Sequence, residues 1–179
     1  MKSSKTAPQL QLKSVTEGTL HRMLGAEDLQ PDDNYFMAEA LKLAREAYSE
    51  CEVPVGAVVV REGHIIATGH NRREGKKNAL YHAEIEAINN ACQTLGGWRL
   101  CGCELFVTLE PCPMCAGAII NSRIERLVFG AHDKKAGSCG SVINLFEQPY
   151  NHKPEVKGGV LGAECAKVLT AFFKELRTQ

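Results

Sequence analysis

Two short strings in the sequence contain residues that could bind a metal ion and move protons. The first is His82-Ala83-Glu84, and the second is Pro111-Cys112-Pro113-Met114-Cys115. One imidazole and two thiolates can fill three positions of a tetrahedral zinc site and leave the fourth for water. Zinc lowers the pKa of such a water from about 15.7 to about 7, which provides hydroxide at neutral pH. We therefore predict one zinc ion held by His82, Cys112 and Cys115.

Glu84 is the candidate for moving protons. It lies two positions after His82, so its carboxylate could reach both the water and a substrate, as a general acid and base must. Cys112 and Cys115 are one helical turn apart, and Pro113 is typical of the first position of a helix. Both thiols would then lie near a helix N-terminus, which favours thiolate. The two strings resemble the H-x-E and P-C-x-x-C signature of zinc-dependent base deaminases.

A structural use of the cysteines is the alternative interpretation. Cys101 and Cys103 lie just upstream, and with Cys112 and Cys115 they could form a closed four-cysteine zinc site. That site would leave Glu84 without a role. A thioredoxin-like redox pair at Cys112 and Cys115 is a second alternative, although the residues around the pair do not match the usual sequence.

Length and composition favour a single soluble domain. The chain has 179 residues, 44% hydrophobic and 23% charged. No run of about 18 apolar residues and no signal-peptide core is visible, so we expect a cytoplasmic protein with no membrane contact and mostly reduced cysteines. Residues 1–33 are polar and are expected to form a flexible extension before a zinc-dependent deaminase domain at 34–179. A transit peptide for organellar import is the alternative interpretation of this extension.

Hydrophobic periodicity predicts alternating helices and strands from residue 33 onward. In chain order, the pattern favours a helix to about Ser49, a strand hairpin over 55–70, a helix from His82 to about Gly96, a strand over 104–109, a helix over 113–121, a strand over 124–130, a short helix over 142–146 and a final helix over 163–177. A polar loop is predicted between the hairpin and the second helix. The alternation favours an α/β sheet with helices on both faces and with both metal-binding strings at helix starts.

Longer strings resemble the TadA-type tRNA adenosine deaminases. They cover residues 52–57, 70–71, 82–85, 107–112, 114–118 and 128–131, and the similarity extends from about Tyr35 to Arg177. The resemblance implies a three-layer α/β/α cytidine deaminase-like fold with a central mixed sheet of about five strands. It also implies conversion of adenosine to inosine at the wobble position of a tRNA anticodon, usually that of an arginine tRNA. The enzyme would be a homodimer with one zinc per subunit.

The same resemblance assigns roles to single positions. It matches His82, Cys112 and Cys115 to the zinc ligands and Glu84 to the proton shuttle. Asn71 is implied to contact a flipped-out base, although an asparagine after a strand is also typical of a turn. Further substrate contacts are implied at Val53, Pro54, the main-chain N–H of Ala83, Asp133, Lys134 and His152. For His152 a role in the local fold is the alternative, and for the Asp133-Lys134 segment it is a solvated loop.

Net charge departs from what an RNA-binding protein usually shows. The 21 basic and 21 acidic side chains sum to zero, whereas phosphate-binding surfaces normally have a basic excess. Arg72, Arg73, Lys76 and Lys77 beside Asn71 predict a local basic cluster at the mouth of the site.

Two other functions stay open. A deaminase of a free base or nucleotide, of the guanine or cytidine type, would share every zinc-site residue, and the basic cluster argues against it. A non-catalytic zinc module that binds RNA or a partner is the other, and Glu84 argues against it.

Overall fold

The computed structural model describes residues 31–178, which begin with a helix. Helix α1 spans Asp33–Ser49, as predicted, and the side chain of Asp32 accepts a hydrogen bond from Tyr35 N at 2.9 Å at its start. This contact satisfies one of the free N–H groups of the first turn. The predicted extension and the alternative transit peptide lie outside the described residues, except for positions 31–33.

The remaining elements follow the predicted order, with two additions. In chain order they are strands β1 Gly56–Arg61 and β2 His64–His70, helices α2 Arg73–Lys76 and α3 Ala83–Leu95, strand β3 Cys103–Leu109, helix α4 Pro113–Ser122, strands β4 Arg126–Ala131 and β5 Glu155–Gly158, and helix α5 Gly162–Leu176. The single-turn helix α2 and strand β5 were not predicted. The short helix predicted over 142–146 lies later, as a 3-10 turn at Leu145–Glu147.

The five strands form one mixed sheet in the order β2-β1-β3-β4-β5. Strand β1 is antiparallel to β2 and β3, whereas β3, β4 and β5 are parallel. The pairing of Gly56 with His70 and of Leu109 with Ala131 brings the start of β1 and the ends of β2, β3 and β4 together. We call this the site end of the sheet and the opposite one the far end.

Helices cover both faces of the sheet, which confirms the predicted three-layer α/β/α fold. On one face, α3 and α4 pack against side chains such as Val59, Leu105 and Phe129. On the other, α1 and α5 pack against the alternate residues of the same strands, such as Val58 and Phe106. Because neighbouring residues of a strand point to opposite faces, one apolar run fills both cores. No helix within residues 31–178 is long and apolar enough to cross a membrane.

Candidate active site

Three side chains converge at the site end in a geometry that fits a metal ion. Nδ1 of His82 lies 3.7 Å from Sγ of Cys112 and 3.6 Å from Sγ of Cys115. Two ligands of one tetrahedral zinc, with Zn–N near 2.0–2.1 Å and Zn–S near 2.3 Å, would lie about 3.6 Å apart. Within residues 31–178 this is the one cluster of three His, Cys, Asp or Glu side chains close enough to hold a metal.

The starts of two helices position these ligands, as predicted. His82 is the residue immediately before α3, and Cys112 holds the same place before α4. Pro113 fixes the first turn of α4, so that Cys115 follows one turn later and is fully buried. Gly69 in β2 allows α3 to come this close, because a Cβ atom there would overlap the main chain of Ala83 and Ala87.

Hydrogen bonds among the three side chains shift their pKa values. The bond from Cys115 and the one from His82 lower the pKa of Cys112 to about 4, against the effect of burial. The bond to Cys112, together with burial, raises the pKa of Cys115, and the bond to Cys112 also raises the pKa of His82. Cys112 therefore favours the thiolate, which is the form of a cysteine that binds zinc. A bound metal cation would favour the deprotonated form of all three side chains.

Glu84 lies beside the metal-binding side chains at the floor of a cavity. It is 4% exposed, and burial raises its pKa. A buried carboxyl group whose pKa moves toward neutrality can both take and return a proton. The position and the protonation of Glu84 thus suit a general acid and base.

The four-cysteine zinc site is not formed. Cys103 begins β3, whereas Cys112 lies beyond its other end. A strand of this length spans about 20 Å at 3.3 Å per residue, so Cys101 and Cys103 cannot share an ion with Cys112 and Cys115. All eight cysteines are free thiols in the structure.

The cavity above Glu84 has a volume of about 580 Å³. This volume falls within the range of about 300–1,000 Å³ that is usual for small-molecule sites. Its walls combine apolar, cationic and acidic side chains from six segments. The residues that line the cavity are Val53, Val55, Asn71, Arg73, His82, Glu84, Leu109, Glu110, Cys112, His132, Asp133, Lys134, Lys135, Ala136, Leu169 and Phe173. The predicted residues Val53, Asn71, Asp133 and Lys134 are thus brought together with the metal site, whereas Pro54 is buried without lining the cavity.

Asn71 and Ala83 are bonded to each other. Oδ1 of Asn71 accepts a hydrogen bond from the main-chain N–H of Ala83 at 3.0 Å. That N–H group therefore does not point at the cavity, which does not support the predicted contact of Ala83 with the substrate. Nδ2 of Asn71 makes no hydrogen bond with any residue of the described chain, so it can donate to a ligand.

His152 lies away from the cavity. Its Nε2 is 2.6 Å from the carbonyl oxygen of Ile124, which precedes β4 and so belongs to the far end of the sheet. This position does not support the predicted substrate contact and agrees with a role in the local fold. Asp133 does line the cavity, but its Oδ1 accepts hydrogen bonds from the N–H groups of Lys135 and Ala136 and holds its own loop.

Two segments carry cations at the mouth of the cavity. We call residues 72–77 the first rim and residues 132–141 the second rim. Arg73 of the first rim and Lys134 and Lys135 of the second line the cavity and are exposed. Arg72 was predicted in the same basic cluster, but it forms an ion pair with Glu86 of α3 instead.

Four residues that shape the site were not predicted. Leu169 and Phe173 of α5 form an apolar wall of the cavity. The periodicity of the sequence predicts α5, but it does not show which side chains of that helix reach the cavity. Glu52 and Glu110 are buried acids, each 2% exposed. The sequence signal that could have found these two acids is a carboxylate beside a run of apolar residues. If such a carboxylate is buried, it must accept hydrogen bonds from donors elsewhere in the chain.

Comparison with known proteins defines first the class and then the family. The sequence model of the MafB19-like deaminase family matches residues 31–177, so the chain is a deaminase. It is 53% identical over 146 residues to the tRNA-specific adenosine deaminase of Bacillus subtilis (strain 168), covering 81% of this chain and 91% of that protein. The identity to the enzyme of the same name from Aquifex aeolicus (strain VF5) is 46% over 144 residues, covering 80% and 95%. The chain therefore belongs to the family of tRNA-specific adenosine deaminases.

Solved structures agree with this family. One from a study of A-to-I editing by tRNA:A34 deaminases at the wobble position of transfer RNA has a TM-score of 0.73 and 46% identity, covering 75% of this chain and 98% of that one. A guanine deaminase from Nitrosomonas europaea has a TM-score of 0.65 and 27% identity, covering 78% and 83%. Both comparisons confirm the predicted deaminase fold.

Proposed function

We propose that the protein removes the amino group of adenosine by hydrolysis at the wobble position of a tRNA anticodon, with arginine tRNA as the substrate, and so produces inosine. The observation that carries the proposal is the buried Glu84 beside the His82, Cys112 and Cys115 cluster, on the floor of a cavity with cationic rims. The names of the relatives support tRNA as the substrate, and the arrangement of the side chains supports hydrolytic deamination.

His82, Cys112 and Cys115 would hold one zinc ion per chain. When bound, zinc supplies a hydroxide nucleophile at neutral pH. Glu84 would take a proton at its carboxylate and deliver it to the departing amine as ammonia leaves. Asn71 Nδ2 would donate to the base edge, while Val53 and the apolar wall of α5 would exclude water from the ring.

Recognition would depend on an unpaired base. A base held in a duplex cannot present its amino group to Glu84 inside a cavity, so the target must be splayed out of the anticodon loop. The exposed cations of the two rims would contact the flanking phosphates. A local basic mouth of this kind allows RNA binding by a chain whose net charge is zero.

The test is inosine formation by the purified, zinc-loaded full chain. The substrates are an arginine-tRNA anticodon stem-loop, the same stem-loop with guanosine at the wobble position, and free adenosine, guanine and cytidine. Inosine in the adenosine stem-loop alone is expected. Turnover of a free base without the stem-loop would favour the guanine or cytidine type of deaminase, and no turnover of any substrate would favour the non-catalytic module.

The homodimer implied by the family resemblance is part of the proposal. Leu80 and Tyr81 are exposed at 57% and 38% and line a groove with Ile85 of α3 and with polar side chains such as Asn89 and Asn90, a mixed surface that a second subunit would cover. Light scattering coupled to size exclusion should give twice the 19.6 kDa mass of the chain. Action in the cytoplasm stays a prediction from the sequence.

A further inference from the structure

The buried side chain of Glu110 is hydrogen-bonded to the second rim. Its Oε1 accepts the N–H groups of Cys139 and Ser141, both at 3.0 Å, and its Oε2 accepts the N–H of Asp133 at 3.0 Å and the hydroxyl of Ser141. One buried carboxylate therefore ties together both ends of the loop. Gly137 permits this arrangement, because a Cβ atom there would overlap the Glu110 carboxyl group.

Glu52 holds the first rim in the same way. Its two carboxylate oxygens accept the N–H groups of Glu74 at 3.1 Å and Gly75 at 2.7 Å, which belong to α2. A single helical turn is too short to be stable by itself. The buried Glu52, 2% exposed, therefore supplies the contacts that a four-residue helix needs.

The two rims carry cations that the protein leaves unpaired. Arg73, Lys76 and Lys77 are exposed on the first rim, and Lys134 and Lys135 on the second. None of the five forms an ion pair with an acidic side chain of residues 31–178. Neither Glu52 nor Glu110 pairs with these five cations: the oxygens of both acids accept hydrogen bonds from main-chain N–H groups of the rims, and Glu110 also accepts the Ser141 hydroxyl and lies 3.5 Å from Nδ1 of His132. The two acids thus sit under the cationic surface while the positive side chains face outward.

We propose that Glu52 and Glu110 are positioning residues that set the affinity for RNA by fixing the two cationic rims. Glu110 lines the cavity, but the oxygens of both carboxylates are occupied by donors of the rims, so each acid acts through the backbone of its rim. The proposal rests on the proposed RNA substrate, and it concerns binding of the RNA outside the cavity, not the chemistry at Glu84.

The test measures kcat and KM on the anticodon stem-loop for Glu110→Gln and Glu52→Gln. A glutamine keeps one acceptor oxygen and turns a donor toward the N–H groups, so each rim should lose part of its order. We expect KM to rise about tenfold with kcat changed by less than about twofold. Zinc content should stay at the wild-type level. The matched control is Glu104→Gln, which removes a carboxylate bonded to Arg126 at the far end and should leave KM unchanged.

A double-mutant cycle shows whether each acid acts through its own rim. In a Lys134→Ala/Lys135→Ala background, Glu110→Gln should raise KM by less than about twofold, whereas Glu52→Gln should retain its full effect. In an Arg73→Ala background, the effect of Glu52→Gln should shrink and that of Glu110→Gln should persist. A merely structural role would lower the active fraction, and therefore kcat, equally in every background.

Three results would overturn the proposal: an unchanged KM in both glutamine variants, a loss in kcat alone, or full additivity with the rim cations. If Glu110→Gln does not fold, Ser141→Ala removes one donor to the same carboxylate and should raise KM about threefold; an unchanged KM there overturns the role of Glu110. Wild-type protein that does not deaminate the stem-loop would contradict the proposed function instead, so the two failures are distinguishable.

Discussion

At the scale of single residues, burial makes Glu84 both useful and costly. Its carboxyl group is enclosed next to His82, Cys112 and Cys115, and burial raises its pKa because a charge there lacks water. A glutamine at this position has the same shape but cannot exchange a proton, and it avoids the unfavourable free energy of a buried charge. Chemistry and stability should therefore respond in opposite ways to the same substitution.

We predict that Glu84→Gln lowers kcat by at least about a hundredfold, since general acid and base catalysis contributes about 10²–10⁴-fold. The free energy of unfolding should stay the same or increase, and zinc should remain at one ion per chain. Single-turnover deamination, urea unfolding and metal analysis measure the three quantities. Activity within tenfold of the wild type would contradict the role of Glu84.

The identity of the metal ligands can be tested by zinc content alone. His82→Ala removes one of the three converging donors and should reduce bound zinc from about one ion per chain toward none. Cys101→Ser is the control: its thiol lies at the far end of the sheet, so zinc should be retained. Loss of zinc in the control but not in His82→Ala would restore the four-cysteine interpretation.

The three clustered side chains could be singled out because the spacing within each string is local, whereas their neighbours could not. His82 with Glu84, and Cys112 with Cys115, are each separated by one turn or less of the chain. The bond between Asn71 and Ala83 joins two segments, and the four contacts of Glu110 reach over more than twenty residues. Such contacts depend on how the sheet brings its loops together, which periodicity does not describe.

At the scale of elements, the helices and strands that were predicted have a local sequence pattern, whereas the two that were missed depend on contacts with distant residues. The long helices and the buried strands have apolar side chains at a regular period. All four residues of β5 are exposed, and β4 is the one strand of the sheet that pairs with it. Helix α2 depends on Glu52, which lies more than twenty residues earlier. Neither element leaves a hydrophobic pattern in its own sequence.

An ion-pair cluster joins the first helix to the far end of the sheet. Both carboxylate oxygens of Asp33 accept hydrogen bonds from Arg126 in β4, each at 2.8 Å, and Lys157 in β5 lies 2.6 Å from Oδ2. The bond from Arg126 lowers the pKa of Asp33 to about 2. The cluster therefore ties α1 to the exposed strand that side-chain packing does not hold.

We predict that Asp33→Asn destabilises the protein by about 1 kcal/mol at pH 7, allowing for solvent screening of partly exposed groups. A carboxylate whose folded pKa lies below the unfolded value of about 3.9 stabilises the fold above that pH, and this contribution is lost as the pH falls toward 2. Urea unfolding of both proteins between pH 3 and pH 7 measures it. A difference that stays constant over this range would show that the charge of Asp33 does not matter.

At the scale of the whole molecule, a net charge of zero conceals a separation of charge between the two ends of the sheet. At the far end, Arg126 is surrounded by Asp33, Glu104 and Glu155, so acids and bases neutralise each other. At the site end, the acids Glu52 and Glu110 are buried under the rims and the cations are exposed. Within residues 31–178, a phosphate backbone would therefore meet a group of unpaired cations at the mouth of the cavity.

This separation predicts how RNA binding responds to salt. Lys134→Ala/Lys135→Ala removes two cations from the second rim, and because each phosphate contact contributes about 0.7 to the slope for single strands, the plot of log K against log salt should flatten by about 1.4. Arg61→Ala/Arg99→Ala removes the same charge at the far end and should leave the slope unchanged. Fluorescence anisotropy with a labelled anticodon stem-loop, at several salt concentrations, measures both slopes. Equal flattening by the two pairs would mean that net charge, and not the placement of the cations on the rims, determines the affinity for RNA.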